Sequence, residues 1–326
     1  MMILGIDIAK AKVDVALFND KDFIASSAFD NTPVGFKKLS KWLGHKKADQ
    51  IRACLEATGR YGDALATFLH QQGHHVSVVN PARIKKYADS QLLRNKTDKL
   101  DAKTIADFCR TQEPGRWLPP APEKRLLQEM VRRLDALVKE QTRERNRLQS
   151  GLESEVVKGS ITDNLEFLAH QITRLEGQIQ NHIDQYPDLK QDQNLLTSIK
   201  GIGPKTAFKL LGELPDVARF DNVGQVVAYA GLSPQQHISG TSVYKKTRLT
   251  KTGNQTIKTT LYFPALVAIR FNPIVIALAD RLEHQGKEKM VIVGAAMRKL
   301  LHLIYGILKS GQPFDPDYPA NPQGAA

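Results

Sequence analysis

Over the first hundred residues apolar and polar positions alternate in short runs; beyond residue 120 they recur at helical spacing. Ile3 to Ile8 is an apolar run broken by Gly5 and Asp7. Val13, Val15 and Leu17 alternate with Asp14, Ala16 and Phe18, the period of a half-buried strand. Phe23 to Phe29 can return as a third strand. Asn31-Thr32-Pro33 then opens a helix through Trp42, with Thr32 as the cap and Pro33 in the first turn, where no N–H is needed. Ile51 to Glu56 predicts a fourth strand, Gly62 to Gln72 a helix stopped by Gly73, and His75 to Val79 a fifth strand. The order βββαβαβ predicts an α/β domain over residues 1–120, with a mixed sheet and flanking helices.

The middle, residues 121–190, predicts two long amphipathic helices on either side of Gly151 to Asp163. Leu126, Met130, Leu134 and Leu137 mark one seam, and Leu165, Leu168, Ile172, Leu175, Ile179 and Ile183 the other. Such a pair suits a protruding coiled-coil hairpin, a contact between protomers, or helices of one bundle core. Residues 191–326 predict a mostly α domain. Within it Lys200-Gly201-Ile202-Gly203-Pro204-Lys205 separates two helices. A Gly-x-Gly turn with lysines on both sides can aim backbone N–H groups and a helix N-terminus at a phosphate, in the manner of a helix-hairpin-helix element. A tight interhelical turn has the same pattern.

Composition narrows the function. The 326 residues are 41% hydrophobic and 25% charged, enough apolar material for folded domains and too much for a disordered chain. Lys and Arg number 46 against 34 Asp and Glu, a formal charge of +12 that favours a polyanionic partner. The surplus is uneven. Residues 1–110 are net +6, residues 111–239 net −1, and residues 240–310 net +9, which suggests two separate polyanion contacts. Two cysteines, Cys54 and Cys109, exclude a disulfide framework or a four-thiolate zinc site and point to a reduced, cytoplasmic setting. Asp7 interrupts the only apolar stretch near the start, so no signal peptide is expected. Pro264, Arg270, Asn272 and Pro273 argue against a membrane span at residues 261–279.

Four acids stand apart from the other thirty. Asp7 lies in an otherwise apolar strand, where an unpaired buried charge costs several kcal/mol (roughly,). Glu56 ends the fourth strand. Asp98 and Asp101 are three apart on a predicted helix and share a face, whereas Asp107 falls on the face opposite Asp98. Carboxylates converging from two strand ends and a helix suit hard cations, Mg²⁺ or Mn²⁺, and such ions can activate one oxygen and stabilise another in phosphodiester displacement.

These residues resemble a known family. Ile3-Leu4-Gly5-Ile6-Asp7-Ile8-Ala9-Lys10, Leu55-Glu56-Ala57-Thr58-Gly59, and Arg94-Asn95-Lys96-Thr97-Asp98 with Asp101-Ala102 are similar to the DEDD signature of the insertion-sequence family one-ten, the bridge-RNA-guided recombinases. The later half is similar too, in Gly201-Ile202-Gly203, Tyr229-Ala230-Gly231-Leu232-Ser233-Pro234, Ser239-Gly240-Thr241-Ser242 and Leu249-Thr250-Lys251-Thr252-Gly253-Asn254. Thr241 departs from the pattern, where a serine is commoner, and retains a hydroxyl. The resemblance implies a RuvC-like N-terminal domain with the ribonuclease H fold and a C-terminal serine transposase domain. It implies metal ligands Asp7, Glu56, Asp98 and Asp101, and a nucleophile at Ser239. It further implies that target and donor DNA are cut and rejoined under a structured guide RNA by a homo-oligomer, a dimer or tetramer.

Residue chemistry alone leaves Ser242 and Ser233 as rivals of Ser239. Lys245, Lys246 and Arg248 follow closely and are placed to hold the scissile phosphate. Lys200, Gly201, Gly203, Lys205, Lys251 and Asn254 complete the expected nucleic-acid contacts. Two other readings compete: a structure-specific RuvC-like endonuclease that hydrolyses branched DNA with its carboxylates alone, and a non-enzymatic nucleic-acid-binding protein.

Overall fold

Three strands form an antiparallel meander, β1 (Met2–Ile8), β2 (Lys12–Asn19) and β3 (Asp22–Asp30). Two more, β4 (Ile51–Glu56) and β5 (His75–Val79), extend the sheet parallel to β1, in the order β3-β2-β1-β4-β5. The computed structural model describes residues 1–20, 22–57, 59–91, 98–239, 243–250 and 252–316, the side chains at 60, 98, 99, 236–239 and 243–247 excepted. It divides into two compact units, Met1–Pro119 and Pro120–Ala326.

In the first unit strand alternation sorts the sheet into two apolar faces. Leu4, Ile6, Ile8, Val13, Val15, Leu17, Ala53 and Leu55 pack with helices α1 (Pro33–His45) and α2 (Asp63–Gln71). Ile3 and Cys54 point the other way, toward α3 (Pro81–Ser90) and α4 (Asp98–Gln112), where Ile84, Ile105, Ala106, Phe108 and Cys109 cover them. The strands and the first two helices fall where the apolar pattern predicts. Thr32 caps α1 by accepting from the Gly35 amide at 3.2 Å, with Pro33 at the start. Helix α3 escapes a periodicity reading because Ile84 is its sole buried residue; Asn80, accepting from the Ala82 amide, and Pro81 start it.

Among its described residues the second unit is helical apart from one β-hairpin. Helices α5 (Pro122–Leu148) and α6 (Glu155–Gln185) pack against each other as a long hairpin. Their base shares one core with α7 (Pro187–Ser198), α8 (Pro204–Glu213), α9 (Val223–Tyr229), α10 (Gln255–Thr260), α11 (Tyr262–Phe271), α12 (Pro273–His284) and α13 (Lys289–Ser310). The seam of α5 differs from expectation by one position at its start. Leu127 and Val131 are fully buried beside Leu134, while Leu126 is 49% exposed. Leu126, Met130, Leu134 and Leu127, Val131, Leu134 both satisfy helical spacing, and only the partner helices choose between them. Helix α13 has the length and apolarity of a membrane span, yet 50% of its apolar window is buried within the unit, where Leu300, Leu301 and Ile304 are core residues.

Candidate active site

The carboxylate site is built on the sheet face that α4 covers. Gly5 is the reason α4 can lie so close to β1: a Cβ there would sit 2.1 Å from the Ala102 carbonyl oxygen and 2.4 Å from the Ala106 nitrogen. Ile105, Ala106 and Cys109 pack with Cys54, level with Gly5 on β4, and with Ile3 farther back along β1. The N-terminal turn of α4, with Asp98 and Asp101, is thereby directed toward the carboxyl ends of β1 and β4. Ile6 pairs with Leu55 in parallel register, so the next residues are Asp7, one short of the end of β1, and Glu56, the last of the neighbouring β4. By alternation Asp7 shares a face with Gly5, and Glu56 with Cys54, the face beneath α4. Asp7, Glu56 and Asp101 are each half-buried. The carboxyl ends of parallel strands are where α/β sheets commonly place their chemistry.

Several neighbours hold this arrangement. Asn31 Nδ2 donates to the carbonyls of Ala9 and Tyr61, both at 3.0 Å, tying the segment after β1 to the turn after β4. Cys54 and Cys109 hydrogen-bond across the β4–α4 contact; that bond and burial push the Cys54 thiol up, so it stays neutral. Asp14 faces Asp7 across β1 and β2, is buried, and pairs with Lys12 at 3.0 Å. Sequence pattern gives neither Asn31 nor Asp14 a role at the site; the polar member of an alternating strand is the available signal for Asp14. Asp107, expected to lie away from the site, accepts from Tyr87 Oη at 2.5 Å and from Arg110 Nη2 at 2.6 Å, joining α3 to α4.

Among the described residues no group of three or more His, Cys, Asp or Glu side chains is arranged to hold a metal ion, and the Asp98 side chain lies outside them. The donor set itself fits one: hard carboxylate oxygens at a half-buried sheet end match divalent cations that prefer oxygen.

Ser239 is the last residue of β6 (Pro234–Ser239), which pairs antiparallel with β7 (Val243–Leu249); Ser239 stands level with Val243 and His237 with Lys245. Cross-strand pairing orders Ser239 at the end of β6, although most of its neighbours along the chain are polar. Residues 240–242, with Ser242, lie outside the described residues, while Ser233 stands at the hairpin's root. That root is a crossing of two glycine backbones. Gly231 (φ +69) and Gly253 (φ +128) approach so closely that a Cβ on Gly253 would lie 2.4 Å from the Gly231 nitrogen. The Thr250 amide donates to the Ser233 carbonyl at 3.0 Å and the Asn254 amide to the Tyr229 carbonyl at 2.6 Å.

The expected nucleic-acid contacts separate by environment. Lys200 and Arg248 are exposed. Gly201 (φ +109) packs against Pro264 and Ala268 of α11, and Gly203 caps α8, so the Gly-x-Gly turn also serves helix packing. Lys205 pairs with Glu176 at 2.6 Å. Asn254 caps α10, its Oδ1 accepting from the Thr256 amide at 2.9 Å, and its Nδ2 donates to the buried Glu213 carboxylate at 3.0 Å. Lys251 and the side chains of Lys245 and Lys246 lie outside the described residues.

Comparison with known proteins gives this architecture a class. A DEDD transposase family model matches residues 4–156, which include all four candidate carboxylates, and a second transposase model matches residues 193–279, spanning the serine hairpin. The protein is a DNA recombinase of the transposase class, and its DEDD signature implies dependence on a divalent metal ion. It belongs to the transposase IS116/IS110/IS902 family. A pilin gene-inverting protein of Moraxella bovis is 34% identical over 315 residues, covering 96% of this chain and 97% of that one. A 43.6 kDa protein of insertion element IS110 from Streptomyces coelicolor is 26% identical over 172 residues, covering 53% and 41%. A solved Thermus thermophilus RuvC structure aligns with 36% of this chain and 100% of its own, at 12% identity and a TM-score of 0.27.

Proposed function

We propose that the protein cuts and rejoins DNA strands at sites chosen by a structured guide RNA, using Ser239 as nucleophile and the carboxylates Asp7, Glu56, Asp98 and Asp101 to hold Mg²⁺ or Mn²⁺. The observation that carries this reading is the pairing, in one chain, of a carboxylate sheet end with a separately anchored hairpin that ends in a serine. A hydrolytic nuclease needs the first alone. The match over 96% of the chain to a gene-inverting protein favours strand transfer further, since an inverted segment must be rejoined.

In this mechanism the Ser239 hydroxyl attacks the scissile phosphorus, gives up its proton, and forms a phosphoserine ester as the bond to one sugar oxygen breaks. The displaced sugar hydroxyl, or that of another strand, reverses the step, so rejoining needs no nucleotide triphosphate. Asp7, Glu56, Asp98 and Asp101 would hold a divalent ion, which when bound would supply charge neutralisation and Lewis-acid polarisation. Lys245, Lys246 and Arg248 neutralise the developing phosphate charge. The basic surplus of residues 240–310 supports a polyanion in this half, and guide pairing leaves sequence reading to the RNA. We place the reaction in the cytoplasm, in a dimer or tetramer.

The test is denaturing electrophoresis of labelled DNA incubated with protein and co-expressed RNA. Wild type should form an SDS-resistant protein–DNA adduct that needs Mg²⁺. Ser239→Ala should form none, while Ser242→Ala and Ser233→Ala retain it. Strand exchange by Ser239→Ala at the wild-type rate would overturn the serine assignment and favour the carboxylate-only endonuclease.

A further inference from the structure

A cavity of about 670 Å³ opens in the second unit between α5, α6 and the start of α10, within the size range of ligand pockets. Its α5 wall presents Arg132, Arg133, Lys139 and Arg143, and α6 contributes Phe167. Three acids also reach it, and each is matched. Glu213, whose side chain is 2% exposed, accepts from Arg132 Nε at 2.7 Å and from Asn254 Nδ2. Glu140 pairs with Arg143 at 3.0 Å, and Asp135 with Lys209 at 2.5 Å. Arg133 and Lys139 make no ion pair among the described residues and leave the cavity with a cationic surplus. Phe167 is 60% exposed, an aromatic face left in water in the cavity that those two charges also line.

We propose that this cavity holds a single-stranded nucleic acid segment, with Arg133 and Lys139 on its phosphates and Phe167 stacked on a base. Free cations alone would suit any anion, and an exposed ring alone any apolar group. Their combination within one cleft is the chemistry of single-strand binding, where cations track the backbone and aromatic rings accept base faces that a duplex hides. The buried Glu213 does not oppose a phosphate, because Arg132 and Asn254 already satisfy its carboxylate. Asn254 begins α10 directly after the root of the serine hairpin, so a strand held here lies in the same unit as Ser239. The proposal rests on nucleic acid being the substrate, which family membership carries, and not on the serine. Loss of the serine mechanism would leave this cleft standing.

Fluorescence anisotropy of the full-length protein with labelled dT20 and rU20, over a salt series, tests it. Arg133→Ala/Lys139→Ala should lower the slope of log affinity against log salt by about 1.4, two phosphate contacts at about 0.7 each. Phe167→Ala should weaken binding about five- to hundredfold with the slope unchanged, and Phe167→Trp should restore it. The probe that responds, DNA or RNA, identifies the strand held. An unchanged slope in the double variant, or unchanged affinity in Phe167→Ala, on both probes overturns the proposal. Far-ultraviolet circular dichroism, unaltered in these exposed-site variants, separates either result from misfolding.

Discussion

Gly5 shows how one missing methyl group sets the approach of α4 to β1. The Ala102 oxygen occupies space that any other residue's Cβ would need, so Gly5→Ala must push α4 away from β1. Overpacking of this kind costs about 1–3 kcal/mol. We expect a lower denaturation midpoint and loss of metal-dependent cleavage, measured by urea unfolding and a plasmid nicking assay. Asp101→Ala and Asp107→Ala make a second contrast. The first removes a half-buried acid beside Ala102 and should abolish cleavage at nearly unchanged stability. The second strands Tyr87 and Arg110 and should cost about 1 kcal/mol while cleavage survives. Equal loss of cleavage in both would contradict the assignment of α4's sheet-facing side as the active one.

At the scale of elements, the anchoring of the β6–β7 hairpin and the seam of α5 each have a sharp test. Gly253→Ala adds a Cβ 2.4 Å from the Gly231 nitrogen at a φ of +128, so the crossing must open. Covalent DNA capture should fall while Mn²⁺ binding, followed by electron paramagnetic resonance, persists, because the carboxylates belong to a unit with its own core. In α5, Leu127→Ala should cost about 2–5 kcal/mol through the cavity it leaves. Leu126→Ala should stay within about 0.5 kcal/mol. Reversed magnitudes in urea denaturation would restore the seam that spacing alone suggests.

For the whole molecule, titration offers a way to follow one unit separately. Burial holds the His74 imidazole below its ordinary 6.5; His75 is lowered by burial, with Arg52 and Arg116 adding to it. A depressed histidine pKa means that the folded form favours the neutral ring. The associated stability is complete above about 6.5 and is lost as pH falls from there through the depressed folded value. Both tryptophans, Trp42 and Trp117, lie in the first unit, so tryptophan fluorescence reports its melting alone. Its melting temperature should drop between pH 7 and pH 5, and His74→Asn should flatten the drop. A pH-independent melt would show that neither ring is buried neutral.

Local pattern carried the sheet unit well. β1 to β5 and helices α1 and α2 follow from alternation, caps and glycine stops, because each is a short-range property of the chain. The candidate acids are read from pattern as well, Asp7 and Glu56 as charges in apolar strands and Asp98 and Asp101 by their spacing, and among the described residues no three such groups gather to hold a metal. What pattern does not contain is which elements meet. The α4 crossing at Gly5, the pairing of Asp14 behind Asp7, the glycine crossing beneath the serine hairpin and the choice of Leu127 over Leu126 all depend on partners far along the chain. Packing selects among several locally acceptable faces by burying one of them, and that choice belongs to the folded molecule.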